Sequence, residues 1–206
     1  MAAILNTYTD LATQLSDWLN RDDLTATQIQ MFIELGEVYI FQKLRIKEME
    51  TTTSTAISAS VIPVPSRYLS LKNAYVSSSP NQALIRTTPE FIRTRYPLSG
   101  STGKPLYIAR EGTNFIFGPA PDSNYTIAYT YYQRPTQLTP DATTNTIFPT
   151  VASLYFYAAL VESATFTGEE DRVPLWAQKV STLLDMHNGT NEEDLMVGAS
   201  YISTPG

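Results

Sequence analysis

The 206-residue sequence contains no cysteine, which excludes disulfides, thiolate chemistry and cysteine-based zinc sites. Histidine is almost as scarce: His187 alone could supply imidazole chemistry, and no neighbour in the sequence would orient it. Charge is sparse at 17% and lacks a basic excess, since 14 Lys and Arg stand against 20 Asp and Glu for a formal net charge of -6. A chain with a pI of about 4.8 does not wrap nucleic acid by general phosphate neutralisation. No apolar run approaches the roughly 20 residues of a membrane-spanning helix. Met1 to Leu5 is apolar but short and follows no basic stretch, so the expectation is a soluble protein made in the cytoplasm without export. Gly100 to Gly103 leads toward a strand and lacks the ordered spacing of a phosphate-binding loop.

What is abundant is apolar and aromatic. Hydrophobic residues make up 43% and aromatic residues 11%, led by 13 tyrosines. Such a chain folds, around one ordinary core or one core with an appended module. Tyrosine joins a large apolar body to a polar tip, which suits either a compact β core or extensive protein contact surfaces.

Helix signals dominate both ends. Thr7 with Asp10 forms a helix start, followed by Leu11, Leu15, Trp18 and Leu19 at helical spacing, and this helix ends near Asn20. Thr25 with Gln28 forms a second capping box. Behind it Ile29, Phe32, Ile33, Gly36, Ile40 and Leu44 make one stripe, which Leu35, Val38, Tyr39 and Ile46 widen past a half-circle. A helix so apolar is expected to be a central core helix covered on several sides. Near the other end, Pro149 opens a helix to about Thr165, with Val151, Leu154, Tyr155, Ala158 and Val161 inward. The last helix starts at Asp171, because Pro174 is tolerated only in a first turn. Val173, Trp176, Val180, Leu183 and Leu184 form its stripe, and Asn188-Gly189 is its expected stop.

Between these ends the pattern changes to β. Thr51 to Val64 is extended in composition, Leu69 to Val76 and Ala83 to Arg86 are strands, and Thr88 caps a short helix over Glu90 to Tyr96 that Pro97 stops. After a loop at Leu98 to Lys104 comes Gly103 to Pro135, the most patterned stretch. There Tyr125, Ile127, Tyr129 and Tyr131 alternate with Thr126, Ala128, Thr130 and Tyr132, a two-faced strand reached through the turn Gly118-Pro119-Ala120-Pro121-Asp122. Thr136 to Thr146 is a polar connection. The fold class is therefore α+β: a helical body at 1–50 and 147–189, of two N-terminal and two C-terminal helices, and an inserted, mainly antiparallel β module at 51–146 with one short helix. Residues 190–206 form a C-terminal extension, acidic and then apolar.

No constellation in this pattern supplies catalysis. His187 sits where a cation favours the end of the last helix. Glu169-Glu170-Asp171 and Glu192-Glu193-Asp194 are consecutive acids, which rarely converge on one metal ion. Lys43, Arg45 and Lys47 suit the end of the second helix, and Arg86, Arg93 and Arg95 flank the short one. Asn124-Tyr125-Thr126 and Asn188-Gly189-Thr190 match the glycosylation pattern, a match expected to be accidental without an export signal. A hydrolase using Glu162 and Asp171 lacks any spacing that would hold the two carboxylates at a working distance. The reading is of a non-enzyme with no catalytic residues, no cofactor and no metal site.

Four segments in order carry a resemblance: DLATQLSDWLNRDDLTATQIQMFIELGEVYIFQKLRIKEME, PSRYLSLKNAYV, GKPLYIAREGTNFIFGPAPDSNYTIAYTYYQRP and LYFYAALVESATFTGEEDRVPLWAQKV. Its best markers are Asp17 to Arg21 with Leu24, the Leu44-Arg45 and Glu48-Met49-Glu50 end of helix two, the Gly118 to Pro121 turn, and Leu154 to Leu160. From about Thr7 to His187 the chain resembles the head-to-tail adaptor (connector) proteins of short-tailed bacteriophages. That resemblance implies a structural protein of the virion neck, assembled in the host cytoplasm. It implies a ring, commonly a dodecamer, docked on the portal protein above the tail nozzle protein, through which double-stranded DNA passes without tight binding. Leu195, Met196, Val197, Tyr201 and Ile202 then become candidate portal-docking residues. Arg86, Arg93, Arg95, Tyr129 and Tyr131 become candidates for contact with neighbouring subunits. The competing reading is a ligand- or glycan-binding virion module whose platform is the exposed aromatics of the tyrosine strand.

Overall fold

The computed structural model describes residues 5–21, 23–97, 100–168 and 170–197, without the side chains of 191–197. It divides into two compact units: 1–49 with 135–206, and 50–134. The fold is α+β, with five α-helices and two sheets among the described residues.

The first unit is helical: α1 Tyr8–Leu19, α2 Ala26–Lys43, α4 Phe148–Thr167 and α5 Val173–Val197. Both N-terminal helices start as their sequences dictate. Thr7 and Asp10 form a reciprocal capping box, and so do Thr25 and Gln28. Asn20 closes α1 in the left-handed conformation, φ 49°.

The central helix is α4, not α2. Phe148, Val151, Leu154, Tyr155, Phe156, Ala158, Ala159, Leu160 and Ala164 are all buried, which takes in nearly every face of its axis. Helices α1, α2 and α5 all pack on it. Helix α2 buries Ile29, Phe32, Ile33, Gly36, Ile40 and Phe41 against this core, while Leu35, Val38 and Tyr39 stay exposed. Its residues approach α4 so closely that a Cβ on Gly36 would lie 3.0 Å from the Ala159 nitrogen and 3.1 Å from the Ala158 Cβ.

Two helix ends differ from the sequence expectation, for one shared reason. Helix α2 stops at Lys43, with Leu44 extended, so Arg45 lies beyond it and Lys47 begins a 3-10 turn, Lys47–Met49. Asn188 supplies the stop: its amide donates to the Lys43 carbonyl (3.2 Å) and its oxygen accepts the Arg45 N–H (2.8 Å). Helix α5 is therefore not ended by Asn188-Gly189 but runs on to Val197. His187 accordingly sits inside the helix rather than in its last turn, half-buried, and burial lowers its pKa against the opposing pull of Glu48.

The connection at 135–146, read from sequence as part of the β module, packs with the helices. Leu138 and Ile147 are fully buried there, and the Tyr8 N–H donates to the Thr143 carbonyl (2.6 Å). Asn145 ties the chain at the start of α4, two residues ahead of its N-cap Ile147: its oxygen accepts the Ile147 and Phe148 N–H groups (3.1 and 2.9 Å), and its amide donates to the Thr136 carbonyl and Tyr155 hydroxyl.

The second unit has two four-stranded sheets. Its strands are β1 Glu50–Ile57, β2 Val61–Pro63, β3 Tyr68–Val76, β4 Gln82–Ala83, β5 Ile85–Arg86, β6 Tyr107–Glu111, β7 Asn114–Gly118 and β8 Tyr125–Gln133, with α3 Pro89–Arg95 between β5 and β6. One sheet has the order β1-β8-β3-β4 and the other β2-β7-β6-β5, all antiparallel except β5 with β6. The expected return strand at 83–86 is thus split between the sheets. Ile57, Leu71, Val76, Ile127, Tyr129 and Tyr131 of the first sheet meet Ile108, Phe115 and Phe117 of the second in one core. The outer face of the second sheet, Ala109 and Ile116, is covered by Ile92 of α3. Gly118 is required there, since a Cβ would come within 2.8 Å of the Tyr96 ring.

Candidate functional site

Among the described residues no group of three or more His, Cys, Asp and Glu is placed to hold a metal ion. No helix of the described residues is long and apolar enough to cross a membrane. Glu162 lines a cavity between helices, and Asp171 is exposed in the 3-10 turn Glu170–Arg172.

The tyrosine strand is interior. β8 is flanked by β1 and β3, and Tyr129 and Tyr131 are each only 3% exposed. Phe115 packs edge-on to Tyr129 (5.8 Å between ring centroids), and Tyr68 stacks on Tyr131 (5.7 Å). These two rings build the monomer core, so neither an aromatic platform nor a broad subunit contact is available from them. Burial raises the pKa of the Tyr131 phenol.

The arginines are differently placed. Arg93 makes a two-pronged ion pair with Glu111 (2.6 and 3.1 Å), and Arg95 is exposed on α3. Arg86 is exposed on β5 and donates to the Leu71 carbonyl (2.9 Å). In the helical unit, Arg45 folds back onto the Phe41 and Leu44 carbonyls, and Lys43 lies 5.5 Å from the centre of the Tyr39 ring. Leu195, Met196 and Val197 belong to the last residues of α5, where side chains lie outside the described residues, as do Tyr201 and Ile202 altogether.

Sequence reasoning missed the surface that stands out most. Met31, Leu35 and Val38 recur at i, i+4 and i+7 along α2, with Tyr39 beside them, and they are 44%, 45%, 47% and 38% exposed. Four large apolar side chains on one helix face are more than the scattered hydrophobes of an ordinary surface. A cavity of about 140 Å³ adjoins the stripe, lined by Tyr39 with Ala158, Val161, Glu162, Ala177 and Val180 of α4 and α5. The excess width of the apolar pattern on α2 was the available signal. It reads as burial in the sequence, whereas with α4 holding the centre these four side chains are left exposed.

No curated protein matches the chain. A family model described as SU10 adaptor protein matches residues 6–200, nearly the whole length. By that match the chain belongs to the SU10 adaptor protein family, a phage head-tail adaptor family of structural virion proteins that interact with other head and tail proteins.

Proposed function

We propose that the chain assembles into a closed ring, a dodecamer, that joins the portal to the tail nozzle and lines the passage for DNA. The observation that carries this reading is the exposed Met31, Leu35, Val38 and Tyr39 stripe of α2 with its adjoining cavity. A ring subunit presents different surfaces to its two neighbours, and such heterologous contacts need complementary apolar patches. Arg86 and Arg95 are exposed cations for an acidic neighbour, which a chain of net charge -6 supplies, and Arg93 joins them through its ion pair with Glu111. Buried Tyr129 and Tyr131 act by stiffening the β unit that carries those arginines.

The DNA passage follows from charge. A wall that is neutral to acidic lets the polyanion slide without sticking. Purified protein is expected to show no salt-sensitive DNA binding, and strong binding that weakens steeply with salt contradicts this part of the reading.

The α2 surface is tested by the double variant Leu35→Glu, Val38→Glu. Both positions are exposed in the single chain, so the monomer should keep its helical content. Sedimentation velocity with isolated portal should then show a ring for the wild type and only monomer for the variant. A variant that still assembles removes α2 from the interface.

A further inference from the structure

The β unit contains a cavity of about 230 Å³ between its sheets, with Tyr68 and Leu71 of β3 on one side and Arg86, Ile108, Arg110 and Phe115 on the other. Strand register explains why charge and grease meet there. β5 pairs Arg86 with Ile108, and β6 pairs Arg110 with Phe115. Paired residues share a face, and so do Ile108 and Arg110, two positions apart on one strand. The floor is apolar, since Ile108, Phe115 and Leu71 are all buried. Two guanidinium groups stand above it.

Both guanidinium groups are held in place by neutral partners. Arg86 donates one N–H to the Leu71 carbonyl (2.9 Å). Arg110 donates its Nε–H to the Gly112 carbonyl (3.1 Å), and its Cζ lies 4.9 Å from the centre of the Tyr68 ring. Among the described residues neither cavity arginine is paired with a carboxylate: the bonds of Arg86 and Arg110 go to the Leu71 and Gly112 carbonyls. Both positive charges reach Tyr68, where they oppose the upward push that burial gives its phenol. A guanidinium carries five donors in a fixed fork, and most of them remain available here. Fixed, unneutralised forks match a carboxylate.

We propose that this cavity binds an acidic peptide segment of a partner protein, with a carboxylate taken by Arg86 and Arg110 and an adjoining apolar or aromatic side chain laid against the lining that Tyr68 and Phe115 form together, ring edge to ring face at 5.3 Å. A phosphodiester backbone has no apolar group to cover that floor. The cavity lies within one unit of one chain, but it shares Arg86 with the contact proposed above to a neighbouring subunit, so the site is tested on the unassembled protein without portal.

The test is an amide-correlation NMR titration of the full chain with the capped peptide acetyl-Phe-Glu-Glu-amide, beside acetyl-Phe-Gln-Gln-amide and inorganic phosphate. The account expects saturable shifts at Arg86, Ile108, Arg110 and Phe115, with the Glu peptide binding on the order of tenfold tighter than the Gln peptide, the scale of one charge-assisted hydrogen bond. The variant Arg110→Gln should erase most of that preference. No saturable shift, equal binding of the two peptides, or equal shifts from phosphate alone would each overturn the proposal. The peptide comparison needs no variant, so it stands even if Arg110→Gln misfolds.

Discussion

The Glu37 carboxyl accepts the Leu138 backbone N–H at 2.8 Å, joining α2 to the 135–146 connection from a position with no solvent exposure. Its second oxygen, Oε2, has no hydrogen-bond partner. Burial raises the Glu37 pKa from 4.5 to about 8; the Leu138 N–H opposes this, and the charge of Glu34 adds to it. The negative form of Glu37 would in turn raise the Tyr155 phenol, itself pushed up by burial. Glu37 is thus neutral in the folded protein at pH 7.

That neutrality makes stability depend on pH. Above 4.5 the unfolded chain has released the proton that the folded chain holds to about 8. The unfolded state therefore binds fewer protons, and stability falls as pH rises through this window, by about 1.4 kcal/mol per pH unit from this one group. Urea denaturation at pH 5, 6.5 and 8 should show the loss. Glu37→Gln should remove this part of the slope and be more stable than the wild type at pH 8. Parallel pH profiles for the two proteins contradict the assignment.

Gly36 sets how near α2 lies to α4. The atoms a Cβ would meet include the Ala159 nitrogen and the Ala158 carbonyl carbon, backbone that cannot rotate aside. Gly36→Ala gains about 1 kcal/mol of helix propensity but suffers overpacking of about 1–3 kcal/mol. We expect net destabilisation on the order of 1 kcal/mol, and loss of the folded state for Gly36→Leu. Thermal melts check this, and a more stable Gly36→Ala protein contradicts it.

Asn188 and Gly189 show what could be read in the sequence and what could not. An Asn-Gly pair is a sound helix-stop signal, and Asn188 does stop a helix, but the helix is α2, 145 residues away from it at Lys43. Local signals such as the two capping boxes and the Thr88 cap were legible because both partners lie within three residues. The α+β pattern was legible for the same reason. Long-range relationships were not: the Glu37 bond to Leu138, the split of residues 82–86 between two sheets, and the choice of α4 as the central helix all depend on which elements meet. The α2 stripe was visible as excess apolar width, yet sequence alone does not distinguish a face covered within the chain from one left for a partner.

The same pair gives a sharp test. A Cβ on Gly189 would meet no atom within 4 Å, and its backbone is helical. Gly189→Ala should therefore stabilise the protein by ~0.5–1 kcal/mol. Had Gly189 been a left-handed helix stop, the same change would destabilise it. Asn188→Ala should cost about 1–2 kcal/mol, because it strands the Arg45 N–H and the Lys43 carbonyl. Denaturant midpoints of the two variants decide.

The proposed portal contact is tested by shortening the chain. Removing 190–206 leaves Asn188 and its bonds to α2 in place, so the helical unit should fold. The shortened protein is expected to lose most of its affinity for isolated portal, with Leu195, Met196, Val197, Tyr201 and Ile202 gone. Unchanged affinity removes these residues from the docking surface.

The central claim is that this chain acts by assembling, and electron microscopy of the protein mixed with its portal tests it most directly. The account predicts a closed ring of twelve copies seated on the portal. A chain that remains monomeric beside bare portals would contradict it.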